Sequence, residues 1–215
     1  MRPAQRRLLI FCREPVAGRV KTRLIPSLGP ERAATLYSRL LETALDAACG
    51  VENASTELWC GFRRESSEVC QGLATHYAMT LCRQHGKDLG ERMYHAISTS
   101  TPPGPALLIG SDCPEYTSEY LSDGFAALAD KDAVIGPATD GGYVMIGVNR
   151  IDRHLFDGIP WGTDAVLART RAHLRKLRWR WTELAPLSDV DRPSDLAHFP
   201  DLVPAVSTRQ QGNET

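Results

Sequence analysis

The 215-residue sequence has no run approaching the ~20 consecutive apolar residues that cross a bilayer, and its early run Leu8 to Cys12 is too short for the core of a secretion signal. A cytoplasmic protein without a membrane span is therefore expected. Net charge is only −1, so no global positive field attracts DNA or RNA, and any phosphate chemistry has to use local cations. Cysteine is sparse, at six residues, with no C-x-x-C pair and no zinc-type spacing. The expectation is of reduced, mostly buried thiols, with Cys113 alone beside a candidate site. The phosphate loop G-x-x-x-x-G-K-[ST] is absent as well.

What is present is an alternation of short apolar runs with helical patterns. Leu8 to Cys12 reads as a strand buried on both faces, and the spacing of Ala33, Leu36, Tyr37, Leu40, Leu41, Ala44, Leu45 and Ala48 predicts a helix opened by Pro30. Strands are expected at 57–62, 78–82, 106–110, 133–135, 143–148 and 179–184. Helices are expected at 66–73, after Asp88 as a cap, at 118–128, and after Thr163 as a cap to about Leu177. This order specifies an α/β fold with a mostly parallel sheet, mixed where the strand at Tyr143 follows a Gly-Gly turn. One domain over residues 1–200 and a flexible tail over 201–215 are expected.

In such sheets ligands bind beyond the carboxyl ends of the strands. The segment Arg13 to Leu24 follows the first strand and carries Arg13, Gly18, Lys21 and Arg23: either a phosphate-binding loop or a solvated basic turn. Asp112, between Gly110 and Pro114, is a strand-end carboxylate that either holds a metal or caps a turn. Asp140, Gly141, Gly142 and Tyr143 form either a close-approach site for substrate or an ordinary turn. Trp161, Gly162, Thr163 and Asp164 put an acid in the first turn of a helix. Asp189 and Asp191 are separated by one residue, so an extended backbone aims both at one cation; a solvated acidic turn is the alternative. The stretch from Arg169 to Trp181 is rich in arginine and reads as the solvated face of a half-buried helix.

Taken together, the segments at 11–24, Gly86-x-Asp88-Leu-Gly-x-Arg-Met93, Gly110-Ser-Asp-Cys-Pro114, Thr139-Asp-Gly-Gly-Tyr143 and Trp161-Gly-Thr-Asp164 resemble an uncharacterised bacterial family (DUF2064-like) of the GT-A superfamily, the nucleotide-diphospho-sugar transferases. The sequence is more distantly similar to the molybdenum-cofactor and phospholactate or phosphoenolpyruvate guanylyltransferases. The resemblance spans residues 7–199 and implies a Rossmann-like three-layer αβα sandwich. It also implies a metal-dependent transferase using Mg²⁺ or Mn²⁺, with a nucleotide or nucleotide-sugar donor and a small-molecule acceptor.

By the same resemblance Arg13, Gly18, Lys21, Arg23, Gly86 and Asp88 bind nucleotide, and Asp112, Asp189 and Asp191 hold metal. Gly141, Gly142, Tyr143, Trp161 and Thr163 contact substrate, and Asp140 or Asp164 handles the acceptor proton. Two departures stand out. Ser111-Asp112 offers one carboxylate where many glycosyltransferases carry Asp-x-Asp, so a second ligand has to come from elsewhere; and Arg192 replaces a Thr usual after the late acidic pair. Glycosyl transfer, nucleotidyl transfer with release of pyrophosphate, and a non-catalytic nucleotide-binding module are the competing expectations.

Overall fold

The run of apolar residues after Arg6 forms β1 (Arg6–Arg13), whose side chains alternate between two cores. Leu8, Ile10 and Cys12 enter one cluster, and Leu9 and Phe11 the other. A strand buried on both faces needs a layer on each side, and a computed structural model describing residues 6–61, 67–99 and 104–202 shows that arrangement.

After β1 come α1 (Ile25–Leu28), α2 (Pro30–Cys49), β2 (Ala54–Gly61), α3 (Glu68–His76), β3 (Thr80–Arg83) and α4 (Leu89–Ser98). The second half comprises β4 (Ala106–Ile109), α5 (Ser118–Ala127), β5 (Ala133–Pro137), β6 (Tyr143–Val148), α6 (Val166–Lys176) and β7 (Trp181–Glu183). The seven strands lie in the order β3-β2-β1-β4-β6-β5-β7, and β6 is antiparallel to both its neighbours. Side chains of α2, α3 and α5 share the core containing Leu8 and Ile10, while those of α4 and α6 share the core with Leu9 and Phe11. The fold is therefore the expected Rossmann-like three-layer αβα sandwich with a mostly parallel, mixed sheet.

Caps explain most boundaries. Gly29 and Pro30 open α2, and the side chains of Ser67, Asp88 and Thr117 accept hydrogen bonds from the first turns of α3, α4 and α5. Arg7 clamps α4 to the sheet: its guanidinium pairs with Glu57 at 2.7 and 2.8 Å and donates to the carbonyls of Ala96 and Ile97.

Several expectations need correction. Thr163 does not cap α6; it accepts from Ala165 N and donates to the Pro160 carbonyl, closing a turn before the helix. Asp164 accordingly lies in that turn rather than in the first helical turn. The last strand is shorter than expected because Trp179 is drawn into the core beside Leu174, after Arg178 takes a left-handed conformation. Pro200–Leu202 form a 3-10 turn and Leu202 packs against the cluster with Leu36 and Leu40; residues 203–215 of the expected tail lie outside the described residues. Cys60 and Cys70, expected as thiols, form a disulfide, because β2 and α3 bring together two cysteines whose spacing carries no motif. Among the described residues no helix is long and apolar enough to cross a membrane.

Candidate active site

The carboxyl ends of β1 and β4 adjoin, and the antiparallel β6 brings its first residues to the same edge. Gly110 N donates to the Val144 carbonyl at 3.1 Å. The basic loop, Asp112 and the 138–142 turn thus start from adjacent strands.

Tyr37, on the buried stripe of α2, ties two of these starts together. Its phenol oxygen accepts from Arg13 N at 2.8 Å and shares a hydrogen bond with Ser111 Oγ at 2.8 Å. Burial, with the Asp112 carboxylate nearby, pushes the Tyr37 phenol well above its ordinary range, so it remains a neutral strut.

Lys21 has the left-handed backbone angles φ 46 and ψ 42, uncommon for a non-glycine residue, and only 3% of its side chain is exposed. That turn sends the chain inward between the anchors Val20 and Leu24, both buried. Lys21 Nζ lies 2.8 Å from Asp112 Oδ1 and 4.0 Å from Asp191 Oδ1, and Arg23 pairs with the other oxygen of Asp191. Asp112 keeps 48% of its side chain exposed. It is held from below by Lys21 and open above.

The late acidic segment reaches this place through three backbone contacts. Thr139 N donates to the Leu187 carbonyl, Leu187 N to the Pro137 carbonyl, and Val190 N to the Asp112 carbonyl at 3.0 Å. Val190 is fully buried in a cluster with Leu24, Leu36 and Leu40. The middle residue of Asp189-Val-Asp191 is therefore an apolar anchor shared with the basic loop, and the flanking acids project toward Lys21, Arg23 and Asp112. The solvated-turn alternative for this segment does not describe it. Burial raises the Asp189 carboxyl from 3.8 to about 6; Asp140 and Asp112 add to the rise, and Lys21 partly offsets it.

The 138–142 turn is partly an internal device. Asp140 Oδ1 accepts from Gly142 N at 2.8 Å, and a Cβ on Gly141 (φ +92) would meet the Asp164 carbonyl at 2.4 Å. The close approach permitted by Gly141 is made to the protein's own Asp164 backbone, and the Gly141 carbonyl accepts from Leu167 N in the first turn of α6. Gly86 is likewise required by packing, since a Cβ there would meet Arg92 N at 2.7 Å, and Asp88 serves as the α4 cap. Gly18 (φ +78) has open space beside it.

Trp161 lies edge-on to Tyr143 with ring centres 6.4 Å apart, and a Cβ on Gly90 would touch its ring at 3.0 Å. This contact joins the α4 motif to the start of β6. Thr163, by contrast, spends its hydroxyl on its own turn.

Among the described residues the one trio of His, Cys, Asp or Glu ligand atoms within 4.8 Å is Cys12, Cys60 and Cys70, so the cleft carboxylates stand farther apart than a closed protein cage requires. A divalent cation such as Mg²⁺ or Mn²⁺ bound here would have to complete its shell with water and substrate phosphate, as such hard cations do. Cys113 is buried and its thiol is pushed up to about 12, so it is a packing residue.

Tyr37, Ser111 and Val190 were missed from sequence. Tyr37 occupied an ordinary helical core position, where only a buried phenol's need for a partner hinted at more.

The family described as an uncharacterized protein conserved in bacteria (DUF2064) matches residues 44–163. The chain belongs to this family. A solved structure from Desulfovibrio desulfuricans G20, provisionally named a nucleotide-diphospho-sugar transferase, is 30% identical, covering 96% of this chain and 91% of that one with a TM-score of 0.83. A nucleotidyl transferase from Methanothermobacter thermautotroptrophicus is 12% identical over 92% of this chain and 96% of its own, with a TM-score of 0.61. A 4-diphosphocytidyl-2C-methyl-D-erythritol synthase from Anaerococcus prevotii DSM 20548 is 10% identical over 91% and 96%, with a TM-score of 0.59; these last two share the fold. No curated protein matches the chain. The DUF2064 chain thus has the fold of the nucleotide-diphospho-sugar transferases.

Proposed function

We propose that this DUF2064 protein is a metal-dependent transferase that uses a nucleotide-diphospho-sugar donor. The observation carrying the proposal is the convergence of Asp112, the Asp189-Val190-Asp191 segment and the cations Lys21 and Arg23 at one strand edge. Carboxylates flanked by fixed cations suit a diphosphate, whose charge grows as the leaving group departs.

Asp112, with Asp189 or Asp191, would hold Mg²⁺ or Mn²⁺, which when bound supplies charge neutralisation of the diphosphate. Lys21 and Arg23 add fixed positive charge for the departing nucleoside diphosphate, and Gly18 leaves room for its phosphates. In transfer, an acceptor hydroxyl oxygen bonds to the sugar's anomeric carbon. The bond from that carbon to phosphate oxygen breaks, its electron pair going to the phosphate. The acceptor proton passes to Asp140, which is exposed in the 138–142 turn beside the cleft. Asp164, fixed against Gly141, is the neighbouring alternative. Trp161 and Tyr143 supply an aromatic wall for the sugar or acceptor.

The test is thermal shift against a panel of nucleotides and nucleotide-sugars with and without Mg²⁺ or Mn²⁺, followed by identification of the released product. Metal-dependent stabilisation that is lost in Asp112→Asn, with release of a nucleoside diphosphate, is the expected result. Pyrophosphate released from an NTP would reassign the reaction to nucleotidyl transfer. Metal-independent binding unchanged in Asp112→Asn would refute catalysis at this site.

A further inference from the structure

Outside the acidic cleft, the described residues contain one cluster of reactive groups that the proposed reaction leaves unused: Cys12, Cys60 and Cys70, all buried, with sulfur atoms within 4.8 Å of one another. Cys12 and Cys60 are register partners on β1 and β2, and Cys70 faces them from the first turn of α3. The bond joins Cys60 to Cys70, whose Cα atoms are 6.8 Å apart, within the span of a disulfide. Burial pushes the Cys12 thiol up to about 12, which keeps it protonated and a poor attacker on its neighbours.

The crosslink is connected to the basic loop by two hydrogen bonds. Cys70 N donates to Ser67 Oγ at 3.2 Å, and that hydroxyl donates to Glu14 Oε1 at 2.8 Å. Glu14 is the acid among the cations of the loop, and its carboxylate is engaged by the buried Ser67 hydroxyl. A helix of nine residues has little stability of its own, so the position of its cap depends on what fastens its first turn.

We propose that Cys60 and Cys70 form a reversible thiol–disulfide site which, through Ser67 and Glu14, sets the order of the 13–24 loop. Its reaction partner is a dithiol or its disulfide. In reduction one thiolate of the dithiol attacks a sulfur of the pair and breaks the Cys60–Cys70 bond. The second thiol closes the reagent's own disulfide, and the two cysteines each take up one proton. Oxidation is the reverse exchange. In the reduced form the first turn of α3 is released from β2, Ser67 moves with it, and Glu14 is free to compete with phosphate for the loop's cations.

The consequence for ligand affinity rests on the nucleotide reading above, whereas the site and its effect on the loop do not. The first measurement is therefore a thiol count with peptide mapping on the full chain. After equilibration with oxidised dithiothreitol, denaturation and alkylation, Cys12, Cys49, Cys82 and Cys113 are expected to be alkylated and a Cys60–Cys70 peptide to be found. All six cysteines alkylated, or a bound thiophilic metal on the three sulfurs, overturns the proposal.

The second is amide hydrogen exchange in both redox states. Protection across residues 13–24 is expected to fall about tenfold on reduction, and Ser67→Ala is expected to show the low protection in either state while keeping the crosslink. Unchanged protection on reduction of the wild-type chain, which requires no variant to fold, also overturns it. Nucleotide affinity is then read in both states, with a weakening of about three- to tenfold expected on reduction. A redox-dependent loop with no nucleotide affinity at all would refute the nucleotide reading and leave the thiol site standing.

Discussion

Replacing Asp189 with Asn separates what stabilises this molecule from what its cleft is for. The carboxyl is raised from 3.8 to about 6 by burial and by the Asp140 and Asp112 charges, so ionising it in the folded chain is costly. At 1.36 kcal/mol per pH unit the rise amounts to at most about 3 kcal/mol, and contact of the half-buried carboxylate with water screens this to about 1–2 kcal/mol.

The sign follows from proton binding. Between pH 3.8 and about 6 the folded chain binds more protons at Asp189 than the unfolded chain, so stability falls as pH rises through that window and the penalty is constant above it. Asp189→Asn removes the penalty. In the absence of divalent cations the variant is expected to be more stable than wild type at pH 7.5, with a melting temperature higher by about 2–6 °C. The advantage shrinks as pH is lowered below about 6; roughly a third to a half of it is left at pH 4.5, and it is gone only well below 3.8. Mg²⁺ or Mn²⁺ at millimolar concentration should raise the wild-type midpoint more than the variant's, because the cation supplies the counter-charge that Asn no longer needs. Urea unfolding at several pH values, with and without the cation, reads all three effects. A variant less stable than wild type at pH 7.5, or a gain independent of pH, would refute the electrostatic account of the cleft.

Lys21→Met keeps the buried stem but removes the ammonium beside Asp112; transferase turnover is expected to drop by about 10²–10³, with the fold retained by circular dichroism. Gly141→Ala forces a Cβ against the Asp164 carbonyl at a positive φ and should cost about 3 kcal/mol or more in urea unfolding. Val190→Ala empties part of the cluster with Leu24 and is expected to cost about 1–3 kcal/mol; it should also weaken metal-dependent thermal stabilisation, since the acids on either side lose their anchor.

The fold was legible because its strands are short apolar runs and its helices carry full buried stripes, so period alone separated them. Strand β6 and helix α2 were predicted to the residue or nearly so. What failed were starts and ends set by contacts remote in sequence. Thr163 has the chemistry of a cap, but Gly141, over twenty residues earlier, supplies the carbonyl that Leu167 N uses, so the helix begins later. The Cys60–Cys70 bond was invisible for a similar reason: ten residues apart and without motif spacing, the pair meets only once α3 folds back along β2.

The site was legible as a set of segments but not as a geometry. Asp112 was placed by the sequence at a strand end, where the structure has it, and the lack of an adjacent acid pointed to Asp189 and Asp191, which the fold brings near it. That the acid segment is held at Asp112 by Val190, and that Val190 shares a pocket with the loop residue Leu24, could not be read from a sequence in which they lie far apart. Apolar residues inside polar motifs are easily passed over, yet here one of them fixes the direction of two carboxylates.

The same arrangement accounts for a cleft that is stable without a ligand and still has cations to offer. Lys21 carries three donor protons, and its contact with Asp112 uses one direction; Asp191 lies at the edge of ion-pair range and is mainly held by Arg23. The left-handed turn at Lys21 commits the chain to aiming this ammonium under Asp112, so its position does not depend on a flexible side chain finding the carboxylate. On the proposed reading, Asp112, exposed on the side away from Lys21, would help to hold a divalent cation that supplies counter-charge to a diphosphate. Lys21 and Arg23, paired here with Asp112 and Asp191, would then have donors to offer to phosphate oxygens. If the proposed reaction is right, the ion pairs of the cleft and the charge stabilisation of a departing diphosphate would be two uses of the same cations, exchanged when the ligand brings its own charge.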